Sequence, residues 1–281
     1  PGTLASFVRH AASFAGSEIV LVDLDAEPLE LARRVGQRFV EAAGAELRIS
    51  ATTDRRAALD GADAVLTSFR PGGFAARAHD ERIPLRHGVI GQETQGPGGF
   101  FMALRAIEVF KAIVAEMEQR CPDAWLINYT NPINIISEAI THHSRIRTIS
   151  LCEGPIVFPQ EVVAACGLDP RRLDAQMVGL NHACWSVRHL YDGQDVLPLI
   201  RGASPKVMAD PAIPAARKRM VELACATGHL PAHYFQYYYY RDELLAELRA
   251  APQTRAETIM AAVPDYLAHY REQAEAAAPF L

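Results

Sequence analysis

The 281-residue chain has no uninterrupted apolar run near the roughly 18–20 residues that a membrane-spanning helix needs. Its N-terminus lacks the basic flank and apolar core of a secretion signal. It has no excess of positive charge: 28 Lys and Arg stand against 33 Asp and Glu, a formal charge of −5. No global field therefore invites nucleic acid or an anionic membrane, and an anionic ligand would need local basic residues. There is no CxxC pair, and the five cysteines (Cys121, Cys152, Cys166, Cys184, Cys225) are odd in number. That argues against a disulfide framework and for a reduced, cytoplasmic setting.

What is present is alternation. Short β-rich runs at Glu18–Asp23, Glu46–Ser50, Asp63–Ser68, Ala124–Tyr129 and Ile146–Leu151 are separated by helical patterns, notably Glu27–Ala43 and Gly99–Arg120. This order predicts a parallel sheet with helices on both faces, an α/β fold of the Rossmann type. Such a unit should open with a strand and a Gly-rich turn. The chain opens instead with PGTLASFVRHAASF, which reads as a helix, so the fold is expected to lack its first strand and both ends look clipped. After about residue 151 the pattern changes to a helix near Pro159–Cys166, strand-like runs Ala175–Gly179 and Cys184–Tyr191, and then helices. The expected division is a nucleotide-binding domain over 1–150 and an incomplete α+β substrate and metal domain over 151–281. The stretch Arg70–Gly98 reads as a long loop, and loops of that length are usually functional or disordered.

Candidate functional residues cluster after the predicted strands, where open α/β sheets bind ligands. Asp23 ends the first run and suits a ribose hydroxyl; alternatively it or Asp25 caps the next helix. Arg70, Arg77, Arg82 and Arg86 follow the third run and are candidates for holding phosphate, although most surface arginines are only solvated. The glycines of GQETQGPGGF (Gly91–Phe100) allow close backbone approach at a helix N-terminus. In NYTNP, Asn131 is either an N-cap or a contact to a sugar hydroxyl or nicotinamide. Cys152 and His182 are both metal-ligand types, but a spacing of thirty residues does not make a site, and from the residues alone a buried structural Cys and a packed His explain them better. The run HYFQYYYYRDE holds five tyrosines, most suited to packing; one beside a metal could have a lowered pKa and act as a base.

Taken in order, DERIPLRHGVIGQETQGPGGFFMALRAIEV, PDAWLINYTNP, LCEGP, GLNH and YFQYYYY resemble glycoside hydrolase family 4. The resemblance implies an NAD- and Mn²⁺-dependent enzyme that hydrolyses phosphorylated disaccharides, oxidising the sugar at C3, deprotonating C2 and eliminating the aglycone. NAD-dependent family members are a known exception to two-carboxylate glycosidase chemistry. By motif, Cys152 and His182 would bind the metal, Tyr234 would take the C2 proton, and Asp23 would contact the adenosine ribose. Asn131 and Arg77 would contact substrate, with Asn131 also near the cofactor, and Arg255 would meet the substrate phosphate. Glu153 follows the metal cysteine, at a position that varies with substrate in the family, and would serve as general acid. TNPIN stands in place of the usual TNPAG, and the Gly-rich loop for the NAD pyrophosphate is missing. The resemblance further implies a homo-oligomer, dimer or tetramer, and a β-linked phosphoglucoside. The competing expectations are a 2-hydroxyacid dehydrogenase and a non-catalytic relative that no longer binds NAD.

Overall fold

The computed structural model describes residues 2–276. Helix α1 (Gly2–Arg9) leads to β1 (Ser17–Val22), α2 (Ala26–Ala43), β2 (Leu47–Thr52), α3 (Arg55–Leu59) and β3 (Ala64–Thr67). Then come α4 (Gly73–Arg86), α5 (Gly96–Arg120), β4 (Trp125–Asn128), α6 (Ile133–His143) and β5 (Arg147–Ser150). The second half runs α7 (Gly154–Ala165), β6 (Leu173–Leu180), β7 (Ala183–Tyr191), β8 (Gln194–Asp195), α8 (Leu197–Ala209) and α9 (Ala215–Thr227). It ends with α10 (Gln236–Tyr239), α11 (Arg241–Ala250) and α12 (Arg255–Glu275). Among the described residues no helix is long and apolar enough to cross a membrane.

The five strands of the first half are all parallel but fall into two sheets, β1–β2 and β3–β4–β5. Among the described residues β1 and β3 each have one edge unpaired, and Val20, Val22 and Leu66 are exposed there. One core packs Val35, Phe39 and Ile49 under α1 and α2. A second packs Met102, Phe110, Leu126 and Ile136 between α5, α6 and β4. The second half has its own core around Val162, Ile200, Val221 and Leu230, beside an antiparallel sheet β6–β7–β8.

The predicted loop over Arg70–Gly98 is overturned, because residues 73–86 form α4. The buried residues of this helix are mostly charged: Arg77, Asp80 and Glu81. Arg105 on α5 pairs with Asp80, and Arg77 pairs with Glu81 and Glu93. A helix that buries ion pairs shows no apolar periodicity, so its sequence reads as a polar loop. Pro84 sits in the last turn, and His87 ends the helix.

The glycines after α4 serve close packing. A Cβ on Gly91 would lie 1.7 Å from the Glu81 carbonyl oxygen, one on Gly98 would lie 2.2 Å from that of Gln92, and one on Gly99 would lie 2.3 Å from the Thr94 carbonyl carbon. The segment 91–99 is thus folded tightly on itself and against α4, which fixes the directions of Gln92, Glu93 and Thr94.

Gly98→Ala should destabilise the fold by about 2 kcal/mol, since backbone atoms must shift to admit the methyl group. Gly2→Ala, with open space around its Cβ, is the control. Equal melting temperatures for the two variants would refute the packing account. A second test concerns Glu116 on α5, which accepts from Arg55 at 2.7 and 2.9 Å and from Arg56 at 3.1 Å. The Arg55 hydrogen bonds, with help from Arg56, hold its pKa down to about 2 against a desolvation effect that raises it. The folded pKa lies below the unfolded one of 4.5, so this stabilisation is complete above pH 4.5 and disappears as the pH falls toward 2. Glu116→Gln should cost about 1 kcal/mol at pH 7 by chemical denaturation, a cost that shrinks as the pH falls through about 2.

Candidate active site

The site forms where β5 ends against the β6–β7 turn. Cys152 follows β5 and precedes α7, and the Gly154 backbone N–H donates to its Sγ at 3.4 Å. His182 occupies the two-residue turn with Asn181, in a backbone conformation rare for a side-chain-bearing residue (φ 135°). The turn is closed by His182 N–H donating to the Leu180 carbonyl at 2.6 Å, and Gly179, at φ 140°, lets β6 approach Ala183 and Cys184. These constraints bring His182 Nε2 to 3.6 Å from Cys152 Sγ, although the two residues are thirty positions apart.

Burial pushes the His182 pKa down to about 4, so its imidazole is neutral at physiological pH with a lone pair to give. Two donors at legs of about 2.3 Å (S) and 2.05 Å (N) on a tetrahedral ion stand about 3.5 Å apart. The observed separation therefore fits a shared divalent cation, and the thiolate–imidazole donor set suits a metal softer than Mg²⁺. Among the described residues no cluster of three or more His, Cys, Asp or Glu offers a complete protein cage. The remaining positions on such a cation would fall to water or substrate oxygens.

Tyr234 completes the centre. The segment 230–232 pairs with β7 through Ser186 N–H to the Leu230 carbonyl and Ala232 N–H to the Cys184 carbonyl, both 2.9 Å. Tyr234 follows in a short 3₁₀ turn, and its ring stacks on His182 with centroids 4.0 Å apart. Phe158 meets it edge-on at 5.5 Å, and Tyr237 stacks at 6.0 Å. Burial, and then the Glu93 charge, push the Tyr234 pKa well above that of a free phenol, while Arg77 pulls it down. The lowered value expected for a base is thus not present in the protein alone. Burial likewise pushes Tyr237 up to about 12. Tyr238 and Tyr239 are exposed.

Arg77 is buried, donating from Nε to Glu81 at 2.7 Å and lying 2.8 Å from Glu93, which also pairs with Arg70. Glu81 accepts from the Ala256 backbone N–H at 2.9 Å, which anchors the start of α12 to this charge cluster. Arg255, at the first position of α12, is exposed next to that anchor. Glu153 is exposed at the N-cap position of α7, one residue beyond Cys152. Asn131 is not the predicted cap of α6: Pro132, in an extended conformation, holds that position. The Asn131 Oδ1 is instead buried with no hydrogen-bond partner, an acceptor that fits a carboxamide N–H or a sugar hydroxyl. Asp23 lies exposed just past β1. It accepts from Asp25 N–H at 3.1 Å, while Asp25 is the helix cap, accepting from Glu27 N–H at 3.2 Å. Asp23 is therefore relieved of capping and stands exposed at the strand end.

A cavity of about 450 Å³ opens beside Cys152, lined by Asn134, Ser137, Ser150, Gly179 and Asn181. Sequence reasoning missed the carboxylates Glu81 and Glu93 and the polar pair Gln92 and Thr94. All but Glu81 lie in the segment singled out for its glycines, but no spacing rule marks them as neighbours of His182 or Arg77.

The comparisons with known proteins agree with one another. The family model described as family 4 glycosyl hydrolase matches residues 1–168, and that of the family's C-terminal domain matches residues 177–279. A probable 6-phospho-β-glucosidase of Bacillus subtilis (strain 168) is 36% identical over 284 residues, covering 97% of this chain and 63% of the relative. A 6-phospho-α-glucosidase from gut microorganisms, solved in complex with NAD and Mn²⁺, superposes with a TM-score of 0.83 at 29% identity, covering 97% of this chain and 66% of that one. The chain thus spans a little under two-thirds of the length of these relatives. A lactate dehydrogenase from Eimeria maxima, at 13% identity, TM-score 0.50 and coverage of 87% and 71%, shares the Rossmann-type fold alone. With both family models matched in order along the chain, it belongs to glycosyl hydrolase family 4.

Proposed function

We propose that this chain carries the catalytic centre of an NAD- and Mn²⁺-dependent glycosidase acting on 6-phosphorylated glucosides. The observation that carries the reading is the 3.6 Å approach of Cys152 to a neutral His182 with Tyr234 stacked on the imidazole. The names of the relatives support the substrate class, and the NAD and Mn²⁺ in the solved relative support the cofactors. The dehydrogenase alternative is not favoured, because oxidation of a 2-hydroxy acid gives a thiol–imidazole pair no task. In this reading residues 1–150 bind NAD and residues 151–281 supply the metal and the base.

Bound NAD would take and return a hydride at C3 of the sugar, while bound Mn²⁺ would draw charge from the C2 and C3 oxygens. Cys152, as thiolate, and His182, through Nε2, hold the metal. Asn131 offers its unpaired Oδ1 to substrate or nicotinamide, and Asp23 accepts from the adenosine ribose. Arg77, already fixed by two carboxylates, is a rigid donor toward the sugar, and Arg255 meets its phosphate. Tyr234 accepts the C2 proton. Its phenol ionises only with help, because burial and Glu93 hold it protonated, and a cation on the adjacent His182 supplies that help. Glu153 protonates the leaving oxygen. On linkage, the GQETQGPGGFF stretch favours a β-glucoside, whereas a carboxyl at Glu153 favours an α-glucoside. We infer β.

Tyr234→Phe in the full-length protein should abolish exchange of the C2 hydrogen with solvent deuterium and leave Mn²⁺ and NAD affinity within about threefold of the parent. Retained exchange would move the base to Tyr237. Hydrolysis should stop on chelation or removal of NAD and return with Mn²⁺ before Mg²⁺; full turnover without either cofactor would falsify the mechanism. Nitrophenyl α- and β-glucosides, each with and without a 6-phosphate, separate linkage from phosphate recognition. Turnover confined to the phosphorylated β-glucoside is expected. Equal turnover of phosphorylated and plain sugars overturns the phosphate assignment, and turnover of the α pair alone assigns Glu153 the role of acid in an α-glucosidase.

A further inference from the structure

The segment 91–99 does more than connect α4 to α5. Gln92, itself buried, aims its side-chain oxygen back into its own turn. Three donors meet that oxygen: the Thr94 backbone N–H at 2.6 Å, the Gln95 backbone N–H at 2.8 Å and the Thr94 hydroxyl at 2.9 Å. Two backbone N–H groups can only donate, so the atom they meet is the amide oxygen, and the amide orientation is settled by its partners. An amide oxygen can only accept. The single proton of the Thr94 hydroxyl is therefore committed to Gln92.

The same hydroxyl lies 3.4 Å from His182 Nδ1. With its proton committed, it meets the ring with a lone pair. The complementary tautomer of neutral His182 carries its proton on Nδ1 and leaves Nε2 bare, facing Cys152 Sγ at 3.6 Å.

We infer that Thr94, oriented by Gln92, is a positioning residue that locks His182 in the Nδ1–H tautomer and so presents the Nε2 lone pair to the metal. The role rests on the metal reading proposed above. Thr94 touches neither the metal nor the substrate; it acts through His182. The glycines at 91, 98 and 99 are what permit it, since a side chain on any of them would displace the turn that carries Gln92 and Thr94. Metal-bound histidines commonly have the other ring nitrogen held in this way, and loss of the holding group typically lowers metal affinity about 10–100-fold.

The test uses the full-length protein with ¹⁵N-labelled histidine and four variants, two of residue 94 and one of each ligand. Long-range proton–nitrogen spectra of the metal-free protein should show His182 protonated on Nδ1. Thr94→Val, which keeps the side-chain shape, should shift His182 toward the other tautomer or a mixture and weaken Mn²⁺ binding about 10–100-fold, read from the free Mn²⁺ signal in electron paramagnetic resonance. Thr94→Ser, which keeps the hydroxyl, should restore both. A purely structural role for Thr94 would leave the tautomer unchanged in the valine variant. A parent spectrum with the proton on Nε2, or a valine variant with parental tautomer and affinity, overturns the proposal. Cys152→Ser and His182→Ala separate the two levels. If both lose Mn²⁺ while Thr94→Val keeps it, the metal reading stands and the Thr94 role falls. If neither loses Mn²⁺, the metal reading falls and the positioning role falls with it.

Discussion

The turn between β6 and β7 is the constraint on which the centre depends. A two-residue connection leaves little choice of backbone, and His182 accepts a φ of 135° that costs a side-chain-bearing residue about 1–3 kcal/mol. Such a conformation persists only where the surroundings over-determine it. Here they do: Gly179 lets the strands close, the Leu180 carbonyl takes the His182 N–H, and the Tyr234 ring covers the imidazole. The result is a histidine pointed at the end of a strand from another sheet. A relaxed turn would direct the ring elsewhere, and Cys152 would be an ordinary thiol at a helix start.

A second arrangement sets the electrostatic background. Arg70, Arg77, Glu81 and Glu93 form a chain of ion pairs between α4, the Gly-rich segment and α12. Buried charges are tolerated only when paired, so removal of one member would strand the others. The pairing has a mechanical consequence: the start of α12 is anchored on α4 through the Ala256 backbone N–H to Glu81 and through Arg82 to Glu257. Arg255 thereby stands one residue from a contact with the carboxylate that holds Arg77. Arg77 and the residue after Arg255 meet on the same carboxylate, Glu81, a connection that no sequence pattern announces.

Much of the architecture was legible because it rests on local signals. The strand runs, α2 and α5 follow from apolar periodicity and turn residues, and all appear within a few residues of their expected bounds. The helix α4 was not legible, because the signal for a helix is an apolar face, and this one buries Arg77, Asp80 and Glu81. Asn131 reads as a cap because asparagine before a helix usually is one; the structure gives that position to Pro132 and leaves Oδ1 free for another partner. Cys152 and His182 are each ambiguous alone. Their meeting depends on the crossing of β5 and the β6–β7 turn, a property of topology rather than spacing, and only the family resemblance pointed to it beforehand.

Tyr234 shows how the two arrangements combine. Burial, Glu93, Tyr237 and Cys152 all disfavour its ionised form, and only Arg77 opposes them. In the protein alone the phenol is therefore a poor base at neutral pH. On the proposed reading this is a useful property. A divalent cation on His182 would add a positive charge beside the stacked ring and oppose the contributions of Glu93, Tyr237 and Cys152. Proton abstraction would then wait for the metal, and the metal would wait for Cys152 to lose its proton and for His182 to present the correct nitrogen. On that reading Glu93 and Thr94, adjacent in sequence, would act on the two ends of this sequence of events: Glu93 disfavours the ionised form of Tyr234, and Thr94 would align the ligand of the cation that favours it. The tight segment of glycines between α4 and α5 is what places both side chains at once.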